Sequence, residues 1–315
     1  MSEQLDVAQV FAQLRLRVFE RGWLSSNNIL FGATRDSPAT VVDTGYDSHS
    51  DQTLVLLEQA LAGEPLERVI NTHLHSDHCG GNASIQRRWA PEICVHDASF
   101  DAVRHWDEER LSYRATGQRC DAFGVDRGIG SGESICLGGY DWRLWSAGGH
   151  DPDAMLLFQP DSGVAITGDA LWQDRVAIIF PELAGADGFA EAGAALDLIE
   201  RLAPRVVIPG HGAPFTGVAP AVRRSRERLE SFMRTPLRHL DYAERALLMF
   251  HMLEQRERDV AQLRDWLAAT PVFASVLAQR GKGSSDALEN ADRVIDSLLA
   301  GGQLLREGEL IKLAR

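Results

Sequence analysis

Three histidines and an aspartate share a six-residue register in Thr72-His73-Leu74-His75-Ser76-Asp77-His78-Cys79-Gly80-Gly81. Imidazole suits borderline first-row cations and carboxylate suits harder ones, so the mixture fits divalent zinc, iron or manganese. One ion cannot accept all four groups. In a tight turn His73 and His75 can point one way while Asp77 and His78 point another, so the spacing serves two neighbouring cations that each need further ligands. The chain offers His150 in Ala147-Gly148-Gly149-His150-Asp151, Asp169 in Thr167-Gly168-Asp169-Ala170 and His211 in Pro209-Gly210-His211-Gly212. Each has a glycine beside it, which lets the backbone bend sharply and approach an ion. Taken singly, a histidine in Pro-Gly-His-Gly reads as a turn residue and an aspartate in Gly-Asp-Ala as a turn or helix cap. Their joint presence turns the reading toward ligands. Two divalent ions acidify a shared water and polarise an acyl or phosphoryl oxygen, which is the chemistry of hydrolysis.

The ordered set resembles the metallo-β-lactamase fold superfamily, whose members carry an Asp, then His-x-His-x-Asp-His, then His, Asp and His. The likeness runs over roughly residues 10–220. It implies an α/β fold, a four-layered αββα sandwich, with two divalent metal ions: zinc first, iron or manganese as alternatives. It further implies that His73, His75 and His150 bind one ion, that Asp77, His78 and His211 bind the second, and that Asp169 bridges both with a hydroxide between them. In catalysis Asp77 is expected to orient the nucleophile. Asp43, in Val42-Asp43-Thr44-Gly45, matches a carboxylate that orients the ligands from behind. One departure is Gly148-Gly149, where the family usually has Pro-Gly before the third-motif histidine. Asp169 at the bridging position points away from antibiotic-degrading β-lactamases and toward the glyoxalase II and phosphodiesterase branch. The expected reaction is hydrolysis of a small acyl substrate, a thioester or lactone. No separate general acid is evident, and a thiolate leaving group needs none. A phosphodiesterase or ribonuclease, and a non-catalytic ligand-binding regulator, are the alternatives.

These residues must be positioned by strand ends. Leu14–Phe31 and Ala39–Val42 read as strands closed by turns, Asp51–Ala62 has a helical period, and Arg68–Asn71 is a buried-type strand leading into His73. Ala83–Trp89 reads as a helix and Glu92–His96 as a strand. Residues 99–118 read as one amphipathic helix, and the Gly128-Ile129-Gly130 region as a turn. Asp141–Ala147, Ala154–Phe158, Val164–Thr167 and Arg205–Ile208 read as strands, with a helix at Glu191–Leu202 before the last. Beyond about residue 220 the pattern becomes helical, at Ala221–Met233, Tyr242–Gln255, Asp259–Ala268 and Asp286–Ala300, and the tail reads as a hairpin. Two segments are therefore expected: 1–220 catalytic, and 221–315 a helical, winged-helix-like cap.

The 315 residues carry a formal net charge of −13 and are 44% hydrophobic. The acidity is concentrated in residues 1–220, while 221–315 are close to neutral. A phosphate backbone is bound by clustered Lys and Arg, so nucleic acid is not an expected partner. The expected partner is a small-molecule substrate, with no membrane association, and a homodimer is compatible with the sequence. No signal peptide is evident, so a cytoplasmic setting is expected. The four cysteines form no Cys-x-x-Cys pair and are expected as free thiols, with Cys79 inert in the core. His49, His96, His105, His239 and His251 lack partner motifs and read as structural. Arg223, Arg224, Arg226 and Arg228 read as a solvated helix face. Trp172 and the group Trp106, Arg110, Tyr113 and Arg114 read as pocket lining or as packing.

Overall fold

A computed structural model describes residues 5–314; residues 1–4 and 315, the extremities of the two expected segments, lie outside them. Strands β1 (Leu16–Phe19), β2 (Asn28–Phe31), β3 (Thr40–Val42), β4 (Arg68–Ile70), β5 (Glu92–His96) and β6 (Arg127–Ile129) form one sheet in chain order. The pairs β1–β2 and β2–β3 are antiparallel and the rest parallel. Strands β7 (Ser134–Leu137), β8 (Tyr140–Ser146), β9 (Met155–Gln159), β10 (Val164–Gly168) and β11 (Val206–Pro209) form a second sheet, ordered β11-β10-β9-β8-β7. Here only β10 and β11 are parallel.

Side-chain alternation explains why the two sheets stack. Ile29 and Phe31 of β2 face the second sheet and meet Trp142, Leu157 and Ile166, whereas Leu30 between them faces outward. Six helices accompany the first sheet: α1 (Val7–Gln13), α2 (Ser50–Leu61), α3 (Ser76–Cys79), α4 (Asn82–Trp89), α5 (Asp97–His105) and α6 (Tyr113–Thr116). Leu57, Ile85 and Val103, from α2, α4 and α5, cover its outer face over Val41, Val69 and Ile93. On the other side α7 (Phe180–Leu183) is followed by α8 (Phe189–Leu202), and α9 (Val218–Arg234) lies against α8 over Leu156, Ala165 and Val207. The expected αββα layering is present.

The remaining helices, α10 (Pro236–Gln255), α11 (Val260–Ala269), α12 (Pro271–Gln279) and α13 (Ala287–Ala300), share a separate core built on Leu248, Leu263, Phe273 and Ile295. Strands β12 (Glu257–Asp259), β13 (Leu304–Glu307) and β14 (Leu310–Leu313) close it as a small antiparallel sheet ordered β12-β14-β13. Helix α9, by contrast, shares its core with α8 and the second sheet.

Three local expectations are corrected. The single helix expected over 99–118 is two, α5 and α6, because Trp106 adopts a left-handed conformation (φ 50°) that ends α5. Gly128 and Ile129 lie in β6, the edge strand, where a Cβ on Gly128 would come within 3.1 Å of Asp97 Cα. Helix α12 has no counterpart in the periodicity reading.

His239 of α10 ties the helical segment to the sandwich. Its Nε2 accepts the Ile179 amide at 3.0 Å, and its ring sits between Phe189 and Phe232. Burial pulls its pKa from 6.5 down to about 4. Between those values the native state holds fewer protons at this site than the unfolded chain does. Its contribution to stability is therefore complete above the ordinary imidazole pKa and is lost as pH falls, by up to about 3 kcal/mol. Glutamine at 239 keeps an acceptor but cannot titrate. Chemical denaturation of His239→Gln is expected to show a shallower loss of stability than wild type from about pH 6.5 to 4.5, and parallel curves would contradict this.

Candidate metal centre and the cavity above it

Strands β3 and β4 are parallel, and β8, β10 and β11 run in one direction, so their C-terminal ends gather at one rim of the sandwich. Each singled-out residue follows such an end: Asp43 after β3, His73 to His78 after β4, His150 after β8, Asp169 after β10 and His211 after β11. All eight are buried. The structure brings seven of them into two groups, His73, His75 and His150 in one and Asp77, His78, Asp169 and His211 in the other.

In the first group His75 Nδ1 lies 3.1 Å from His73 Nε2 and 2.7 Å from His150 Nε2. The opposite nitrogen of His150, Nδ1, donates to the Ile178 carbonyl at 2.5 Å, so Nε2 presents a lone pair. Burial, with the neighbouring imidazoles, holds His73 well below its usual range and brings His150 to about 4; burial alone does most of this for His75, also to about 4. Three neutral imidazoles therefore converge.

In the second group His78 Nδ1 donates to Asp43 Oδ2 at 2.8 Å. The far nitrogen, Nε2, is buried without a well-formed hydrogen bond among the described residues, facing Asp169 Oδ1 at 3.4 Å and Asp77 Oδ2 at 3.8 Å. His211 Nε2 meets Asp77 Oδ2 at 3.0 Å and Asp169 Oδ1 at 3.9 Å. Burial opposes ionisation of Asp77 and Asp169, but His78 and His211 outweigh it and hold both carboxyls below their usual range. Burial likewise opposes a charged His78, and the carboxylates of Asp169, Asp43 and Asp77 outweigh it and raise its pKa well above the usual value. The same carboxylates that favour a positive charge on His78 would favour a cation held between them and Nε2.

Asp169 joins the groups: its Oδ1 faces His78 and His211, and its Oδ2 lies 3.4 Å from His150 Nε2. Asp43 is tied from behind, accepting from the Thr72 amide and hydroxyl at 2.8 Å each as well as from His78. A Cβ on Gly210 would stand 2.2 Å from Asp169 Oδ1 and 2.8 Å from His78 Cε1, which explains the glycine before His211. The convergent lone pairs, the unpartnered His78 Nε2 and the mixed N and O donors fit two divalent cations of the kind expected.

Three contributors carried no motif. Asn27 donates from its side-chain amide to the carbonyls of Pro209 (3.0 Å) and Gly212 (2.7 Å), while its backbone amide donates to the Gly210 carbonyl at 2.7 Å; it clamps the turn that presents His211. Asp151 Oδ2 lies 3.5 Å from the outward nitrogen of His75. Its position directly after His150 was the available signal. Trp23 stacks on His211, with centroids 5.5 Å apart and an interplanar angle of 11°. Of the weaker candidates, Trp172 is at the site, donating from Nε1 to Asp169 Oδ1 at 3.0 Å. Trp106 and Tyr113 instead pack in the core outside the first sheet, and Arg110 donates to the Ala98 carbonyl and Arg114 to Glu108. Cys79 is a buried free thiol, its pKa pushed up by burial.

Above the two groups lies a cavity of about 660 Å³, bounded on its far side by α10 and the end of α13. Tyr242, Ala246, Met249, Phe250 and Leu253 form its α10 wall, one stripe at helical spacing.

A rim of strand-end histidines and aspartates able to hold metal ions, under a helical roof in an αββα sandwich, defines a class of hydrolase. The sequence pattern of the metallo-beta-lactamase superfamily matches residues 21–211, and the chain belongs to that superfamily. It is 27% identical over 117 residues to a hydroxyacylglutathione hydrolase from Erythrobacter litoralis (strain HTCC2594), covering 37% of this chain and 39% of that protein. It is 24% identical over 218 residues to the acyl-coenzyme A thioesterase MBLAC2 of Homo sapiens, covering 62% of this chain and 75% of that one. The chain spans about two-fifths of the length of the first hydroxyacylglutathione hydrolases it matches. A metallo-beta-lactamase family protein from Thermus thermophilus superposes with a TM-score of 0.56 at 18% identity, covering 96% of this chain and 99% of that one, and shares the fold. No helix of the described residues is long and apolar enough to cross a membrane.

Proposed function

We propose that the protein is a dinuclear metal-dependent hydrolase of a small acyl substrate, a thioester before a lactone. His73, His75 and His150 would hold one cation, Asp77, His78 and His211 the second, and Asp169 would serve both; zinc is the metal we favour, ahead of iron or manganese. The observation that carries this is the division of Asp169, one oxygen toward each group. The names of the relatives, a hydroxyacylglutathione hydrolase and an acyl-coenzyme A thioesterase, support thioesters. When bound, two divalent cations supply acidification of water and polarisation of the acyl oxygen.

The chain's own residues do the rest. Asp77 lines the cavity and offers a carboxylate acceptor that orients the attacking water. Asp43 keeps the proton of His78 on Nδ1, so that Nε2 stays free for a ligand bond. Water's oxygen bonds to the acyl carbon as the C–S bond breaks, giving a carboxylate, a thiolate and two protons, one of which the thiolate takes up according to its own pKa. Beyond the proposed ligands, the titratable groups lining the cavity are Arg175, Arg245 and Tyr242. The Tyr242 hydroxyl is committed to the Val176 carbonyl and burial raises its pKa to about 12, so it is a poor acid, which favours a leaving group that needs none. We further propose that residues from α10 onward act as a cap on the catalytic sandwich.

The deciding experiment is metal analysis of the purified protein followed by a panel of thioesters, lactones, β-lactams and bis(p-nitrophenyl) phosphate in zinc, iron and manganese forms. The expected outcome is close to two equivalents of metal with thioesters turned over fastest. A diester-selective profile would install the phosphodiesterase, and two-metal protein silent on every substrate the non-catalytic binder.

A further inference from the structure

The cavity holds two cationic side chains, Arg175 and Arg245, on opposite elements. Arg175 follows Asp169 by six residues, on the loop of the sandwich; Arg245 belongs to α10. Neither forms an ion pair among the described residues, and the carboxylates beside them in sequence are committed elsewhere. Asp174 is held by Arg224 at 3.3 Å, and Glu244 by Arg280 and Arg293. The Arg175 guanidinium lies 4.9 Å over the Trp23 ring, which in turn stacks on His211. Arg175 thereby rests two stacking layers from the candidate metal centre, and both arginines are exposed, at the solvent-facing mouth of the cavity.

Most of the remaining wall is apolar, from Ile178, Phe180, Met249, Phe250, Leu253 and Leu298, with Gln118, Ser297 and Gln303 as its polar members. A volume of about 660 Å³ is that of a pocket for a ligand of drug-like size. A two- or three-carbon acyl group would leave most of that apolar surface wet.

We propose that Arg175 and Arg245 form an anion subsite, so that the substrate is an amphiphilic thioester with a medium or long acyl chain on the apolar wall and a carboxylate or phosphate on its thiol portion. This rests on the hydrolase reading and deepens it. A guanidinium binds either anion with paired, charge-assisted hydrogen bonds. Because one arginine comes from the sandwich and the other from α10, the same anion that selects the substrate also pins the roof over it.

The test compares wild type with Arg175→Gln, Arg245→Gln and the double variant on thioesters matched in acyl chain. The thiol portion is N-acetylcysteamine (neutral), mercaptosuccinate (carboxylate) or phosphopantetheine (phosphate), each as acetyl, hexanoyl and decanoyl thioester. In wild type, kcat/KM is expected to rise with chain length and to be higher for one anionic thiol than for the neutral one; which anion wins identifies the group recognised. In the double variant the anionic-to-neutral ratio of kcat/KM is expected to fall by about 10–100-fold, the scale of charge-assisted hydrogen bonds in a pocket. A ratio unchanged within twofold, or no chain-length preference, overturns the proposal. If no thioester is turned over, the hydrolase reading fails by itself. The subsite is then decided with non-hydrolysable thioether analogues titrated against tryptophan fluorescence. Tighter binding of the anionic analogue, lost in the double variant, sustains it; equal binding of anionic and neutral analogues ends it.

Discussion

Asp169→Ala is expected to empty both halves of the metal centre at once and to lower kcat for the preferred substrate by on the order of 10³ or more. The expectation comes from the geometry of one side chain. Its Oδ1 lies 3.4 Å from His78 Nε2 and its Oδ2 3.4 Å from His150 Nε2, so this one carboxylate faces both groups. Asp43→Asn makes the useful contrast. Asp43 contacts the second group directly, through His78, and reaches His73 of the first only by way of the Thr72 hydroxyl, and its loss is expected to weaken metal binding by about 10–100-fold, the usual effect of an orienting partner. Metal analysis at graded chelator concentration, with kcat measured on the same samples, separates the two. Retention of two ions by Asp169→Ala would rule out the shared role. Because Asp169 also pairs with His78 and His150 within the fold, a denaturation curve on each variant, with Asp169→Asn as the shape-preserving control, separates loss of metal from loss of fold.

The largest expected effect on stability lies away from the site, at Glu244. This residue is fully buried on α10. Its Oε2 accepts from Arg280 at 2.7 Å and from Arg293, and its Oε1 from Asn290 at 2.8 Å, so one carboxylate binds α10 to α13 and to the end of α12. Glu244→Ala leaves two guanidiniums with only Asp241 for compensation; Arg293 is 42% exposed and can turn to water, whereas Arg280 is 14% exposed, so the cost is expected below that of a fully buried pair, at about 2–4 kcal/mol. Urea denaturation should register this as a large drop in midpoint with little change in slope. Glu244→Gln, which keeps the shape and the acceptor at Oε1, should lose less, about 1–3 kcal/mol. Equal losses for the two variants would show that packing rather than charge is at stake. Since the opposite face of α10 roofs the cavity, a loosened Glu244 network should also raise KM before it lowers kcat.

The candidate metal centre was legible in sequence because a metal-holding side chain is His, Asp or one of a few other types, and because a strand end feeding a glycine-flanked turn is a local pattern. His73, His75, His150, Asp77, His78, Asp169 and His211 all fit that description, and the structure gathers all seven. The sandwich was legible through alternation, as at Ile29, Leu30 and Phe31. What escaped was what depends on distant partners. Asn27 and Trp23 precede every motif and acquire a role only because the Pro209–Gly212 turn folds back beside them. His239 reads as an isolated histidine until α10 meets Ile179. The break at Trp106 escaped because the residues on both sides keep an amphipathic period, and β6 because one glycine, Gly128, lies within it and another, Gly130, follows it. For α10 the period was visible, but not that its inner stripe would face a cavity rather than a core.

The Asn27 clamp also bears on the order in which the molecule assembles. Its hydrogen bonds to Pro209 and Gly212 join residues 182 and 185 positions apart. Contacts of such separation bear the largest loop-closure entropy and are made late. As the chain leaves the ribosome, the three-histidine group is complete in sequence at residue 150, whereas the second group waits for β11 to emerge and dock beside β10. The two halves of the centre are thus separated in time of synthesis as well as in space, and the amide that closes the later half was the earlier of the pair to be made.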